Sequence, residues 1–232
     1  MRLFQKDSGY RYNSDTLLLY DFIASFSPKG VMLDVGCGCG ILGLLLKRDF
    51  PILSLKLLDI QDDNCKIAHA NAVQNELCVD EMIHGDFLKT SFESKCDWII
   101  SNPPLYHHGV MKSEDDSLRL SRHSSALPFD AFAQKVTKTL SNRGYFCFCY
   151  DAKQLTHLLA SLMKHGLNVE DICFVHPKMN KEASLVMIRA RKNSKALCKV
   201  HEPLFIYDTE AFSQRVQAIF TKSQTKSLSW KN

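Results

Sequence analysis

The chain has 232 residues, of which 45% are hydrophobic and 23% charged, and its formal net charge at pH 7 is +4. This length is enough for one medium-sized domain that folds without disulfides. No apolar run approaches the roughly 18 residues that a membrane-spanning helix requires. The N-terminal stretch M-R-L-F-Q-K-D-S does not have the pattern of a signal peptide. We therefore expect a cytoplasmic protein rather than a secreted or membrane protein.

The nine cysteines are odd in number and none forms a C-x-x-C pair. Two close pairs, Cys37/Cys39 and Cys147/Cys149, are each separated by one residue, which would place both members of a pair on one face of a strand. Zinc sites need a different spacing and further ligands nearby. We interpret the cysteines as reduced, small apolar core residues of a protein in a reducing compartment, and we expect no metal site.

The hydrophobic pattern alternates between helices and strands along the chain. The first predicted helix starts at Asn13 or Ser14, because either side chain can cap a helix N-terminus. The strands predicted after it are V-M-L-D-V, L-S-L-K-L-L-D-I, E-M-I-H-G-D, C-D-W-I-I-S-N, G-Y-F-C-F-C-Y, I-C-F-V and A-S-L-V-M-I-R-A. The helices predicted between them are I-L-G-L-L-L-K-R, D-D-N-C-K-I-A-H-A-N-A-V-Q-N, residues 127–141 opened by Pro128, and residues 152–165.

This alternation predicts an α/β fold with a Rossmann-like, mixed seven-stranded sheet and helices on both faces. The last two strands lie too close in sequence for a helical crossover, so they should pair antiparallel. We expect the domain to cover residues 1–208 and a basic tail to cover residues 209–232. The tail has a partly amphipathic start. The sequence leaves open whether the tail contacts a ligand or is a loosely ordered end of the chain.

A glycine-rich loop, L-D-V-G-C-G-C-G-I-L-G, joins the first strand of the sheet to its helix. Gly36, Gly38 and Gly40 alternate, which differs from the dinucleotide pattern G-x-G-x-x-G because residue 41 is Ile. Glycines here permit positive φ and a close approach of the backbone to a ligand. Ligands of open parallel sheets bind beyond the carboxyl ends of the strands, so the loop predicts a binding site at this edge.

Acidic residues end the next two strands. Asp59 ends the second strand, where a carboxylate can accept both hydroxyl groups of a ribose. Asp86 ends the third strand and could accept a hydrogen bond from an adenine amino group. A triphosphate loop is absent from the sequence. S-adenosylmethionine fits these features, because it has ribose and adenine but no phosphate.

The fourth strand ends in W-I-I-S-N-P-P-L-Y. The side-chain oxygen of Asn102 can accept a hydrogen bond from an amino group. Pro103 has no N–H and a fixed φ, and Pro104 holds the residue before it in an extended form, so the turn is stiff. Two acceptors, Asn102 and the Pro103 carbonyl, would thus face one planar amine. Transfer of an activated methyl needs positioning and electrostatics rather than a strong base.

With these motifs the chain resembles class I S-adenosylmethionine-dependent methyltransferases, and S-N-P-P-L resembles the [NDS]-P-P-[YFW] motif of the enzymes that methylate amino groups. Those enzymes modify adenine N6, cytosine N4, guanine N2 or glutamine N5. Leu105 departs from the motif because an aromatic residue usually stands there, and Tyr106 is the nearest aromatic substitute. The resemblance implies catalytic roles for Asn102, Pro103, Pro104, Leu105 and Tyr106. It implies cofactor binding by Asp34, Gly36, Cys37, Gly38, Gly40, Asp59, Ile60, Asp86, Phe87 and Asn102.

The segment G-Y-R-Y-N-S-D-T-L-L-L, together with S-N-P-P-x-Y and K-E-A-S-L-V-M-I-R-A, resembles the bacterial tRNA adenine-N6 methyltransferases that act on valine tRNA beside the anticodon. This resemblance implies tRNA as partner and places Tyr12, Asn13 and Asp15 near the cofactor. The polar loop 106–126 would flank a flipped-out base.

Two alternative functions belong to the same chemistry: methylation of ribosomal guanine N2 or of protein glutamine. A third alternative is an RNA-binding module without turnover, which the departure at Leu105 leaves open. The sequence indicates no obligate protein partner.

Residues 186–232 carry nine Lys and Arg against three Asp and Glu, a local balance of +6. Two interpretations are open for this basic segment: a solvated surface, or a face that binds phosphates.

Overall fold

The computed structural model describes residues 1–5, 14–103 and 128–230. Its helices are α1 (Ser14–Ala24), α2 (Ile41–Asp49), α3 (Asp62–Gln74), α4 (Phe129–Thr139), α5 (Leu155–Lys164) and α6 (Gln214–Ser223). Its strands are β1 (Arg2–Gln5), β2 (Val31–Val35), β3 (Ser54–Asp59), β4 (Glu81–His84), β5 (Cys96–Ser101), β6 (Leu140–Asp151), β7 (Leu167–His176), β8 (Leu185–Lys192), β9 (Lys199–Val200), β10 (Leu204–Phe205) and β11 (Lys226–Ser229).

The central sheet has the order β10-β7-β8-β6-β5-β2-β3-β4, and β9 also pairs with β7. Strands β2 to β6 are parallel, while β8 is antiparallel to both β6 and β7. The seven predicted strands are β2 to β8, so the mixed sheet and its antiparallel end are confirmed. The two-residue strands β9 and β10 bring the sheet to nine strands within the described ranges. Both are too short to show a hydrophobic pattern.

Helices cover both faces of the sheet, as predicted. One apolar layer lies between the sheet and α1, α2, α3 and α6, and the other lies under α4 and α5. Strand β6 divides its side chains between them: Cys147 and Cys149 belong to the first layer, and Phe146 and Phe148 to the second. This is the two-residue alternation of a strand buried on both faces.

All nine cysteines are free thiols. The interpretation as core residues holds for most of them, and Cys147 and Cys149 are fully buried on one face as their spacing predicts. It is wrong for Cys78 and Cys198, which are exposed. Cys78 lies in the connection before β4 and Cys198 directly before β9, and both segments are on the surface.

The two ends of the chain pair with each other, because β1 and β11 form a separate parallel two-stranded sheet. Asn71 of α3 holds β1 in place: its Oδ1 accepts from Phe4 N at 2.6 Å and its Nδ2 donates to Phe4 O at 3.0 Å. Helix α6 packs Val216 and Ile219 into the first apolar layer. The amphipathic start predicted for the tail is therefore a docked helix. Among the described helices, none is both long and apolar enough to cross a membrane.

Candidate active site

The glycine loop lies on the carboxyl end of β3. The N–H groups of Gly36 and Cys37 both donate to Leu58 O, at 2.8 and 3.0 Å. Gly36, Gly38 and Gly40 have φ of 70°, 55° and 80°, a region that L residues rarely adopt. A Cβ added at Gly36 or Gly38 would meet open space, whereas one at Gly40 would lie 3.1 Å from Ala68 Cβ. The first two glycines therefore leave room for a ligand, and the third permits close packing of α2 on α3.

Asp59 orients this loop. Its Oδ2 accepts from Gly38 N at 2.9 Å, and its Oδ1 accepts from Gln61 N at 2.9 Å and from Asn64 Nδ2 at 3.1 Å. The carboxylate is buried at the start of α3, where backbone N–H groups favour negative charge. Asp59, the residue predicted to bind the ribose, thus lies directly against the loop that is predicted to hold the cofactor.

Asp34 is also buried, and its Oδ2 accepts from Gly43 N in α2 at 3.0 Å. The pKa of Asp34 is raised to about 7, mainly by burial and to a smaller extent by the nearby charge of Asp59, although the Gly43 hydrogen bond lowers it. Burial also raises the pKa of the Cys37 thiol well above its usual value, so this thiol remains neutral at pH 7. Asp34 therefore holds α2 against β2, and Cys37 is not a reactive thiolate.

Asp86 follows β4, and its carboxylate is partly exposed. Its Oδ1 accepts from Leu88 N at 2.9 Å, which fixes the turn that follows the strand. Ile60, beyond Asp59, is an exposed large apolar side chain with 48% of its surface accessible. Phe87 is buried, with its ring 5.4 Å from that of Phe132 in the second apolar layer. Ile60 can offer an apolar side chain to a ligand at this rim, whereas Phe87 can offer only its backbone.

Asn102 follows β5 and lies between α1 and β6. Its Nδ2 donates to Thr16 Oγ1 at 2.7 Å, and Cys149 Sγ donates to its Oδ1 at 2.9 Å. Ser101 Oγ donates to Val35 O at 2.8 Å and so joins the ends of β5 and β2. Pro103 is buried. The catalytic predictions for Pro104, Leu105 and Tyr106 lie outside the described residues, as do the proximity of Tyr12 and Asn13 and the loop 106–126.

These elements line an open cleft. Five predicted residues line it: Asp34, Gly36, Cys37, Gly38 and Asn102. Gly40, Asp59, Ile60, Asp86 and Phe87 are not part of its lining. The lining residues that the sequence analysis missed are Gln5, Thr16, Cys39, Ile41, Leu42, Asn64 and Ile67.

A sequence signal existed for some of these. Asn64 lies in the first turn of the helix after Asp59, one turn from its carboxylate, and Thr16 lies in the first turn of the predicted lead helix. For Gln5 no such signal exists, because its place at the cleft follows from the pairing of β1 with β11.

Three cations of the basic segment make contacts within the protein. Arg189 donates from Nε to Asp171 Oδ2 at 2.8 Å, and its guanidinium lies 4.0 Å from the ring centre of Phe26. Lys192 Nζ donates to the carbonyls of two α4–β6 residues, at 2.7 and 2.9 Å. Lys222 pairs with Asp21 at 2.9 Å. These three cations stabilise the fold, so the excess charge of the segment overstates what it offers to phosphates.

Comparison with known proteins is consistent with this geometry. The family model described as methyltransferase small domain matches residues 10–124. A protein of Vibrio campbellii named tRNA1(Val) (adenine(37)-N6)-methyltransferase is 24% identical over 208 residues, covering 89% of this chain and 85% of the relative. A Pedobacter heparinus protein of the same name is 28% identical over 181 residues, covering 76% of this chain and 75% of the relative.

Solved structures agree on the fold. A predicted O-methyltransferase from Agrobacterium tumefaciens superposes with a TM-score of 0.69 at 15% identity, covering 92% of this chain and 99% of that one. A putative class I S-adenosylmethionine-dependent methyltransferase from Listeria monocytogenes has a TM-score of 0.58 at 18% identity, covering 93% of this chain and 73% of that one.

The residues at the cleft fit S-adenosylmethionine. Open space over Gly36 and Gly38 leaves the loop backbone accessible, and Asp59 lies at the rim with an exposed apolar neighbour, Ile60. Together with the family match, this defines the class: the chain is a class I S-adenosylmethionine-dependent methyltransferase. Within that class it resembles the bacterial enzymes named for adenine N6 of valine tRNA.

Proposed function

We propose that this methyltransferase modifies the exocyclic N6 amine of an adenine in tRNA, namely the adenine beside the anticodon of valine tRNA. The observation that carries the proposal is the position of Asn102, which lines the same cleft as Gly36 and Gly38. A side-chain amide at this place puts a hydrogen-bond acceptor next to the cofactor loop, where an amino group has to be held for methyl transfer.

The chemistry requires orientation more than acid–base catalysis. The bound sulfonium supplies an already activated methyl group. Asn102 Oδ1 and the Pro103 carbonyl accept hydrogen bonds from the target amine and direct its lone pair at that methyl, so a C–N bond forms as the C–S bond breaks. The amine then releases one proton to water. Holding both reactants in line removes most of the entropic cost of a bimolecular encounter from the reaction step. The fixed acceptors stabilise charge that develops on nitrogen.

The choice of tRNA and of adenine rests on the relatives. Proteins of Vibrio and Pedobacter that align over most of this chain carry the name of the valine tRNA adenine-N6 enzymes, at 24% to 28% identity. The predicted contacts of Leu105 and Tyr106 with the base belong to the same proposal. Leu105 would contribute apolar contact, and Tyr106 the stacking plane that Leu105 lacks.

The proposal is tested by methyl transfer from labelled S-adenosylmethionine to bulk tRNA that lacks the modification, followed by nucleoside analysis. We expect label in N6-methyladenosine. Asn102→Ala should lower kcat by about a hundredfold or more, as removal of one preorganised polar group does in other active sites, and this loss should exceed any change in cofactor affinity. Label in N2-methylguanosine, or only in protein glutamine, would overturn the assignment of adenine in tRNA.

A further inference from the structure

Two side chains from different elements hold the carboxamide of Asn102. Thr16, in the first turn of α1, accepts the hydrogen bond from Nδ2 at 2.7 Å. Cys149, close to the end of β6, donates its thiol hydrogen to Oδ1 at 2.9 Å. Both side chains are buried, Thr16 with 4% and Cys149 with 0% of its surface accessible. The carboxamide is therefore fixed at its donor end by a hydroxyl and at its acceptor end by a thiol.

The direction of this carboxamide decides what the target amine meets. The two ends of a carboxamide have nearly the same shape, but one accepts hydrogen bonds and the other donates them. If the group turned by half a rotation, Nδ2 hydrogens would face the N–H groups of the target, and two donors would oppose each other. The group must therefore keep Nδ2 directed at α1 and Oδ1 directed away from it.

The two partners differ in strength. A hydroxyl oxygen is a good acceptor, so the bond from Nδ2 to Thr16 is a normal hydrogen bond that anchors the amide. A thiol is only a weak donor, and burial keeps the Cys149 thiol protonated by raising its pKa. A weak donor can contact Oδ1 without saturating it, because a carbonyl oxygen has two lone pairs. The Thr16 hydroxyl is therefore the stronger of the two partners that set the orientation of the carboxamide.

We propose that Thr16 is a positioning residue for the methyl acceptor: its hydroxyl accepts the hydrogen bond from Nδ2 of Asn102 and so fixes the carboxamide in the orientation that directs Oδ1, rather than Nδ2, away from α1. The inference rests on the proposed role of Asn102 in holding an amine. It extends that role to α1, a helix that lies outside the strand-end motifs.

The geometric half of the inference can be tested without any substrate. In NMR spectra of the wild type, the Asn102 side-chain NH2 signals are identified by their loss in Asn102→Ala. We expect these hydrogens to exchange slowly with water, and to exchange faster with an upfield shift in Thr16→Val, which keeps the branched shape but removes the acceptor. Unchanged Asn102 signals in Thr16→Val would overturn the inference.

The kinetic half uses methylation of tRNA. Thr16→Val should lower kcat by about tenfold, because a misdirected group near the reacting atoms costs rate, while the cofactor Kd and the KM for tRNA change by less than about twofold, as for an interaction used in the transition state. Thr16→Ser, which restores the hydroxyl, should recover most of kcat. Equal rates for Thr16→Val and wild type, or no recovery with serine, would overturn the inference.

Thr137→Val is the matched control. Thr137 is a half-buried helical threonine whose hydroxyl lies within hydrogen-bond distance of Ala133 O (3.1 Å) and His165 O (2.9 Å), away from the cleft. Its kcat should equal that of the wild type at temperatures where both are folded, and a tenfold loss there would assign the Thr16 effect to packing. If wild-type protein methylates no adenine in tRNA, the proposed function fails, and the NMR comparison still decides the orientation of Asn102.

Discussion

Two groups of buried polar side chains differ in how their charge is balanced. At the cleft, Asp34 and Asp59 are held by backbone N–H groups of the glycine loop and the neighbouring helices. On β7 and β8, Glu170 and Asp171 are held by Arg189, which lies 2.6 Å from Asp171 and 3.4 Å from Glu170. Asp34 lines the cleft and Asp59 holds its glycine loop, whereas aromatic rings cover Arg189 in the second group.

The difference separates functional from structural charge. Backbone N–H groups orient Asp59 without neutralising it, so its negative charge stays available for the hydroxyl or amino groups of a ligand, whereas the raised pKa of Asp34 favours a neutral carboxyl that holds α2. Two arginines, Arg189 and Arg191, balance the charges of Glu170 and Asp171 and form a structural ion-pair network. We therefore expect substitution of Asp59 to change ligand binding, and substitutions in the second group to change stability.

The largest effect is expected on the β7–β8 side. Asp171→Asn leaves the half-buried Arg189 with one carboxylate fewer and also removes the charge that lies 2.7 Å from His201 Nε2. Breaking a buried ion pair in this way costs about 3–5 kcal/mol, and urea unfolding should show it as a lower midpoint. The matched control is Glu210→Gln, which removes the exposed partner of Lys178 and should leave the midpoint unchanged. Reduced cofactor affinity in folded Asp171→Asn would contradict the comparison.

The second effect is a pH dependence of the free energy of unfolding that comes from Asp34 at the cleft. Below about pH 4, Asp34 is protonated in both the folded and the unfolded chain. Between about pH 4 and pH 7 the unfolded chain releases this proton while the folded protein retains it, because burial raises the pKa of Asp34 to about 7. The free energy of unfolding should therefore fall across this window by about 2–4 kcal/mol more in the wild type than in Asp34→Asn. Parallel pH profiles from urea titrations would show that Asp34 is not protonated at neutral pH.

The third effect concerns cofactor affinity. Asp59→Ala removes a carboxylate that orients Gly38 and that we expect to bind the ribose hydroxyls. Loss of hydrogen bonds to a charged group should weaken S-adenosylmethionine binding by about tenfold to a hundredfold, measured by calorimetry. Asp63→Ala is the control, because it removes an exposed carboxylate from the first turn of α3, close in sequence to Asp59. Equal losses in both variants would point to general electrostatics rather than to a direct contact.

The smallest effect separates two glycines of one loop. Gly40→Ala imposes a positive φ on alanine and places Cβ 3.1 Å from Ala68 Cβ, so it should lower stability by about 1–2 kcal/mol. Gly38→Ala shares the backbone cost but meets open space, so its main effect should be weaker cofactor binding. Urea unfolding and calorimetry on the two variants measure both properties. If Gly40→Ala lost more cofactor affinity than Gly38→Ala, the ligand would not lie over Gly38.

How much of the structure the sequence predicts depends on how far apart in the chain the interacting residues lie. Strands β2 to β8 alternate with helices and have clear hydrophobic runs, and the strand-end residues Asp59 and Asn102 follow from local motifs. The pairing of β1 with β11 joins residues more than 220 positions apart through two four-residue strands, which no local pattern reveals. The same is true of Arg189, whose basic character indicates a surface until its pairing with Asp171 is known, and of the contact between Thr16 and Asn102.

The central claim is transfer to the 6-amino group of one adenine. The most direct measurement compares two transcripts of valine tRNA, one with adenine beside the anticodon and one with inosine there, which has an oxygen in place of the amine. With labelled S-adenosylmethionine, we expect label in the adenine transcript, found as N6-methyladenosine at that position, and none in the inosine transcript. Equal labelling of both transcripts, or label at another nucleotide, would contradict the account.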